Sequence, residues 1–294
     1  MPKNKKPQRR QNKSKGHDQS RKVKSLPQKN HRSKSKNIKF PKSKTVKKVL
    51  DLKSVLQSIY HDFVNLETTC SHRCECCNVA MPQINYAEFS QIATTLWSDL
   101  SKDEKIGLIC TSVEYFFRNE YKKWNKDALI KPCMLLDGNG LCKCYEDRPL
   151  NCRLYGLWPK EEYEKRVDKF EAAYSTYGLK RKDLPLNTQC PNVKRIDETV
   201  PLTMEIINEL FYKLDDLDKD IGGFSELQIK EKENYRTLHD WLLLKIYGEK
   251  WLILLTTFML AATKEQMEDQ ILQLKKSIRE SFSKGDLPDI SKVF

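Results

Sequence analysis

Apolar residues recur at helical spacing through most of the chain beyond residue 46. Val49, Leu50, Leu52, Val55, Leu56, Ile59, Phe63 and Val64 predict a helix over residues 46–67. Phe89, Ile92, Ala93 and Leu96 share one side of a helix over 86–100. Ser101-Lys102-Asp103-Glu104 has the form of a capping box and predicts a further helix to about residue 124. Later helices are expected over 161–177, 204–221, 227–247, 251–262 and 264–283, with Thr263 and Gln266 capping the last. Residues 180–200 read as loop, and no repeat or sustained strand alternation is present. The fold class expected is mainly α: a helical domain over 47–294 with a cysteine-rich metal-binding loop or short hairpin inserted in its first half.

The helical pattern breaks over residues 132–153, where four cysteines flank the turn Asp137-Gly138-Asn139-Gly140. The turn lacks the Lys-Ser/Thr and following helix of a phosphate-binding loop. It is expected to join two short extended arms and bring Cys133 towards Cys142. Pro149 suits the first turn of a short helix bearing Cys152 and Arg153. Upstream lies Cys70-Ser71-His72-Arg73-Cys74-Glu75-Cys76-Cys77, and downstream Cys190-Pro191. Of the ten cysteines only Cys110 stands apart, inside an apolar helix, and it is read as a small buried thiol.

Charge divides the chain. Residues 1–50 hold nineteen Lys/Arg and one acid, Asp18, so the net charge of +13 belongs to this segment and not to the body. Residues 1–46, with Phe40 as the sole aromatic, cannot bury enough apolar surface to offset the entropy of ordering. A disordered basic arm is expected there, fit for nucleic acid or another polyanion through salt-sensitive phosphate contacts without base recognition. The bland alternative is a solvated tail. Residues 47–200 are expected to form the cysteine-cluster region, and 201–294 a helical region packed on it.

The opening Met1-Pro2-Lys3-Asn4-Lys5-Lys6 is the opposite of an apolar export segment. The expected location is therefore cytoplasmic, with thiols kept reduced, which favours metal over disulfides or ordinary buried thiols. No membrane span is expected. The best candidate, residues 241–262, is interrupted by Lys245, Gly248, Glu249 and Lys250, which leaves an apolar run over 251–262 too short to span a bilayer; it is read as a buried core helix, with a membrane-contacting segment as the alternative. Thiolates are soft ligands suited to zinc and to iron, as an ion or an iron–sulfur cluster. Adjacent Cys76 and Cys77 do not easily serve one mononuclear ion. Arg148 and Arg153 are placed to offset thiolate charge, with surface salt bridging as the competing role. The spacing is not the regular CxxC…CxxC of a zinc ribbon, so the metal is left open.

With these residues in view, the segment from about 66 to 195 resembles the YkgJ-type CxxCxxCC cysteine-cluster family, a zinc- or iron-chelating domain. Cys133-Met134-Leu135-Leu136 stands for the family's Cys-Pro-Phe-Leu start, and Gly140-Leu141-Cys142 for its Gly-Xaa-Cys turn. Tyr145-Glu146-Asp147-Arg148-Pro149-Leu150-Asn151-Cys152-Arg153 is similar to its closing motif. The resemblance implies Cys70, Cys76, Cys77, Cys133, Cys142, Cys152 and Cys190 as metal ligands. Cys74 substitutes for a motif cysteine displaced by Arg73, and Cys144 replaces an aliphatic residue. Whether Cys144 is a ligand is left open, as is His72, which is disfavoured because imidazole is not part of the motif.

Two functional readings follow. One is a metal-chelating protein with a polyanion-binding arm. The other is a cluster-dependent group transferase, by analogy with the flagellin lysine-N-methylases, although no glycine-rich S-adenosylmethionine motif is visible. Whether the chain is an enzyme is left undecided. A hydrolase built on His61-Asp62 and His239-Asp240 is disfavoured, and those pairs are read as ordinary helix-surface residues.

Overall fold

Side-chain caps fix where the helices begin. In the computed structural model, which describes residues 51–61, 64–70, 77, 81–120, 132–175, 193–221, 235–285 and 287–290, Asp51 accepts from Ser54 N (3.3 Å) and starts α1 (Leu52–His61). Asn85 and Glu88 form a reciprocal capping box at the head of α2 (Tyr86–Asp99). Ser101 N donates to Glu104 Oε2 (3.0 Å) before α3 (Lys102–Glu120), as the sequence predicts. The basic arm expected over 1–46, together with Cys74, Cys76, Cys190 and His72, lies outside the described residues.

Next come the short α4 (Leu150–Arg153), then α5 (Lys160–Ser175) and α6 (Met204–Asp220). Two two-residue strands, β1 (Gln83–Ile84) and β2 (Arg236–Thr237), pair antiparallel with Gln83 opposite Thr237. Three helices close the chain: α7 (Leu238–Tyr247), α8 (Glu249–Ala261) and α9 (Lys264–Lys284). Thr263 and Gln266 make the expected capping box on α9. The protein is mainly α-helical.

Two expectations need correction. The helix predicted over 227–247 is interrupted, because Arg236 and Thr237 are extended and Thr237 caps α7 through Asp240 N. Pairing with β1 therefore outweighs helical periodicity at this point. The apolar run 241–262 is two helices, as its interruption predicts, separated at Gly248, whose φ of +80° and ψ of 168° a side chain disfavours; what changes is the burial of the second. Of these two helices, α7 is the one buried around most of its surface. On α8, Ile253, Leu254 and Leu260 are exposed, so it is a half-buried helix and not a core one. No helix among the described residues is long and apolar enough to cross a membrane.

Two apolar clusters hold the described helices. The first packs α2, α3, α7, α8 and α9, with Trp241 against Phe89 (centroids 5.9 Å) and its indole N–H donating to Ile84 O (2.8 Å). The second packs α1 and α6 with Leu150 and Leu154. The cysteine segment joins the two. Cys133, Leu135 and Cys144 are buried in the first cluster, whereas Leu150 and Leu154 are buried in the second. Each fully buried leucine contributes about 2 kcal/mol of transfer free energy, so the segment is anchored at both ends.

Candidate metal centre

The hairpin forms as the turn chemistry requires. Leu136 and Cys142 make an antiparallel bridge, Asp137 N donates to Leu141 O (2.8 Å), and Lys143 N donates to Leu135 O (2.8 Å). Asp137 Oδ1 accepts the N–H groups of Asn139 and Leu141, both at 2.8 Å. Those two bonds hold its carboxyl below the usual range. Gly140 takes a φ of +76°, which lets the chain reverse. Cys133 and Cys142 thus come from opposite arms to one cavity wall.

Backbone bonds bring the flanking cysteines in. Cys133 N donates to Cys77 O, tying the end of the first cluster to the start of the hairpin. Thr68 bridges Arg195, Thr69 N donates to Lys194 O (2.9 Å), and Ile196 N donates to Glu67 O (2.9 Å). These bonds hold the stretch before Cys70 against residues 194–196. Tyr145 Oη donates to Cys70 O (3.4 Å). Cys152 rides on α4, whose first N–H, from Leu150, donates to buried Glu88 (2.5 Å).

Cys70, Cys77, Cys133, Cys142, Cys144 and Cys152 line a single cavity of about 40 Å³, with Met81, Leu238, Tyr145 and Arg148 on its walls. That is room enough for an ion. No disulfide joins any described cysteine. Among the described residues no three His, Cys, Asp or Glu side chains form a ready-made metal-binding group. Five of the eight cysteines expected as ligands are in the cavity wall, and the other three lie outside the described residues.

The charges around the cavity are divided. Arg148 faces it, its guanidinium 3.7 Å from the Tyr145 ring centroid. Arg153 turns away. It stacks over Tyr60 (4.6 Å) and donates to Arg148 O and Glu146 O, both at 2.8 Å, so it braces the loop. Burial pushes the Cys144 thiol well above its ordinary range, and nearby Cys142 and Asp147 push the same way. A bound cation would reverse this and hold the sulfur as thiolate.

Sequence reasoning missed Met81 and misplaced His239. Cys144, whose role the sequence left open, is buried and lines the cavity. Its position two residues after Cys142 was the available signal. Met81 lines the cavity too, placed by a strand too short to leave any periodicity. His239 is 2% exposed, which corrects its reading as a helix-surface residue. Cys110 is buried as expected, its thiol directed at Lys275 O (3.7 Å).

A sulfur-lined cavity fed from separate chain segments offers the soft donors that suit a thiolate metal site. Residues 69–172 match the profile of the CxxCxxCC family, described as "Putative zinc- or iron-chelating domain". That match spans roughly a third of the chain. No curated protein and no solved structure matches the chain.

Proposed function

We propose that Cys70, Cys77, Cys133, Cys142 and Cys152, joined by Cys74, Cys76 and Cys190, hold a zinc or iron centre whose role is structural or as carried cargo. The observation behind this reading is the convergence of the five described cysteines on one ion-sized cavity. The donor set fits such a group: sulfur suits zinc, ferrous iron and iron–sulfur clusters alike. Arg148 at the wall offsets part of the thiolate charge. The thiol chemistry requires a reducing compartment, and we place the protein in the cytoplasm. Anaerobic purification with elemental analysis tests the reading: zinc gives a colourless protein, and an iron–sulfur cluster a brown one with visible absorbance.

The basic arm over residues 1–46 is proposed to bind a polyanion, on its nineteen-to-one charge imbalance over residues 1–50. Deleting it abolishes salt-dependent nucleic-acid binding if this is right, and unchanged affinity ends the idea. A cluster-dependent group transferase is the alternative carried by family analogy. Absence of S-adenosylmethionine binding counts against it.

A further inference from the structure

Burial alone gives Cys144 no role. A thiol is a small apolar group, and Cys110 is as buried as Cys144, at 2% and 3% exposed. Their surroundings differ. Cys110 directs its thiol at Lys275 O (3.7 Å) and is not among the residues of the cysteine cavity. Cys144 lines that cavity, and among the described residues no oxygen or nitrogen accepts its thiol. Besides cysteine, the polar side chains on the wall are those of Tyr145 and Arg148.

The backbone holds Cys144 in place from both sides. Lys143 N donates to Leu135 O (2.8 Å), and Asp147 N donates to Cys144 O (3.1 Å), opening the turn that follows. Asp147 is itself fixed by the Thr95 hydroxyl (2.6 Å) and Lys53 (3.2 Å). Cys142, two residues earlier, lines the same cavity, and Cys133 reaches it from the opposite arm. Both lie within electrostatic reach of Cys144. With the backbone already fixed, only a side-chain torsion remains to be ordered when a ligand bond forms, so the entropic cost is small.

A buried sulfur set among other sulfurs, in a cavity with room for an ion, has the chemistry of a soft ligand. We propose that Cys144 is a further thiolate ligand of the centre, binding zinc or ferrous iron together with Cys142 and Cys133. The inference rests on the metal-chelating reading above and adds a ninth sulfur to the eight named there. Among the described residues no three donors are gathered in advance, so the sulfurs close on the ion by side-chain rotation. As Cys144 binds, its thiol proton leaves to solvent and the freed sulfur lone pair makes the bond to the metal, so no oxidant or reductant takes part. The added negative charge is met by the metal ion and by Arg148.

Loading the full-length protein with Co2+ under argon tests this, because each bound thiolate adds sulfur-to-cobalt charge-transfer absorbance in the near ultraviolet. Cys144→Val is expected to lower that absorbance by one thiolate's share. Losing an outer-shell partner already costs about 10–100-fold in metal affinity, so losing a direct ligand is expected to weaken cobalt retention against a chelator by at least about tenfold. Cys110→Val makes the same change in the same apolar cluster and should alter neither readout. Unchanged absorbance and retention in Cys144→Val overturn the added ligand and leave the thiolate centre standing. Equal losses in the two valine variants overturn it too, since they mark a packing effect. Cys144→Ala, with less bulk, is read by the same two outcomes should the valine variant not fold. Wild-type protein without cobalt–thiolate absorbance overturns the metal-chelating reading itself, and the added ligand with it.

Discussion

Glu88 of α2 accepts the N–H of Leu150, the first residue of the helix that carries Cys152. The same oxygen takes the Tyr60 hydroxyl (2.6 Å), and Oε2 takes Asn85 N (3.2 Å). One buried carboxylate thus ties α1, the cap of α2 and the cysteine helix together. Its own pKa is raised by burial, against the pull of the three donors.

Glu88→Ala leaves those donors without an acceptor in the interior. A loss on the order of 3 kcal/mol is expected by urea denaturation. Glu88→Gln keeps one acceptor oxygen and is expected to cost roughly 1 kcal/mol. Metal retention should follow the same order, because releasing α4 releases Cys152. Equal behaviour of the two variants contradicts this account.

Asp218 of α6 sets a pH dependence. It accepts from Tyr86 N (3.1 Å) and Ala87 N (2.7 Å) at the start of α2, yet burial raises its pKa to about 7 from 3.8. The folded state thus holds this proton where the unfolded chain has lost it. The associated stability is full below about pH 4 and is lost as pH rises through about 7. Urea midpoints of wild type and Asp218→Asn at pH 5 and pH 8 check this: the wild type should lose more across the interval.

Gly140 and Gly248, two of the three described glycines with positive φ, should differ in their tolerance of substitution. An added Cβ meets nothing within 4 Å at either Gly140 or Gly248, so the cost is backbone strain alone. Gly140→Ala is expected to destabilise by about 1 kcal/mol. Gly248, at φ +80° and ψ 168°, lies where essentially only glycine goes, and Gly248→Ala should cost about 2–3 kcal/mol. Thermal melting of the two variants ranks them.

Much of this architecture was legible in the residues because its signals are local. Ser101 with Glu104 and Thr263 with Gln266 mark helix starts through bonds three residues apart, and both were read from the sequence; Asn85 with Glu88 does the same but was not. The Asp137–Gly140 turn is equally local. What escaped depends on pairing across the chain. Thr237 opposite Gln83 breaks a helix that periodicity alone would continue, and it buries His239 beside Met81. Arg153 reads as a charge near cysteines, yet its stacking on Tyr60 is set by α1, far away in sequence.

The central claim is a single thiolate centre, and metal content per chain tests it most directly. Wild type and Cys110→Ser should carry the same zinc or iron, because Cys110 is buried away from the cavity in α3. Cys133→Ser with Cys142→Ser, which removes a sulfur from each arm of the hairpin, should lose most of it. Metal-free wild-type protein after anaerobic purification, or full occupancy in the double variant, would contradict the account.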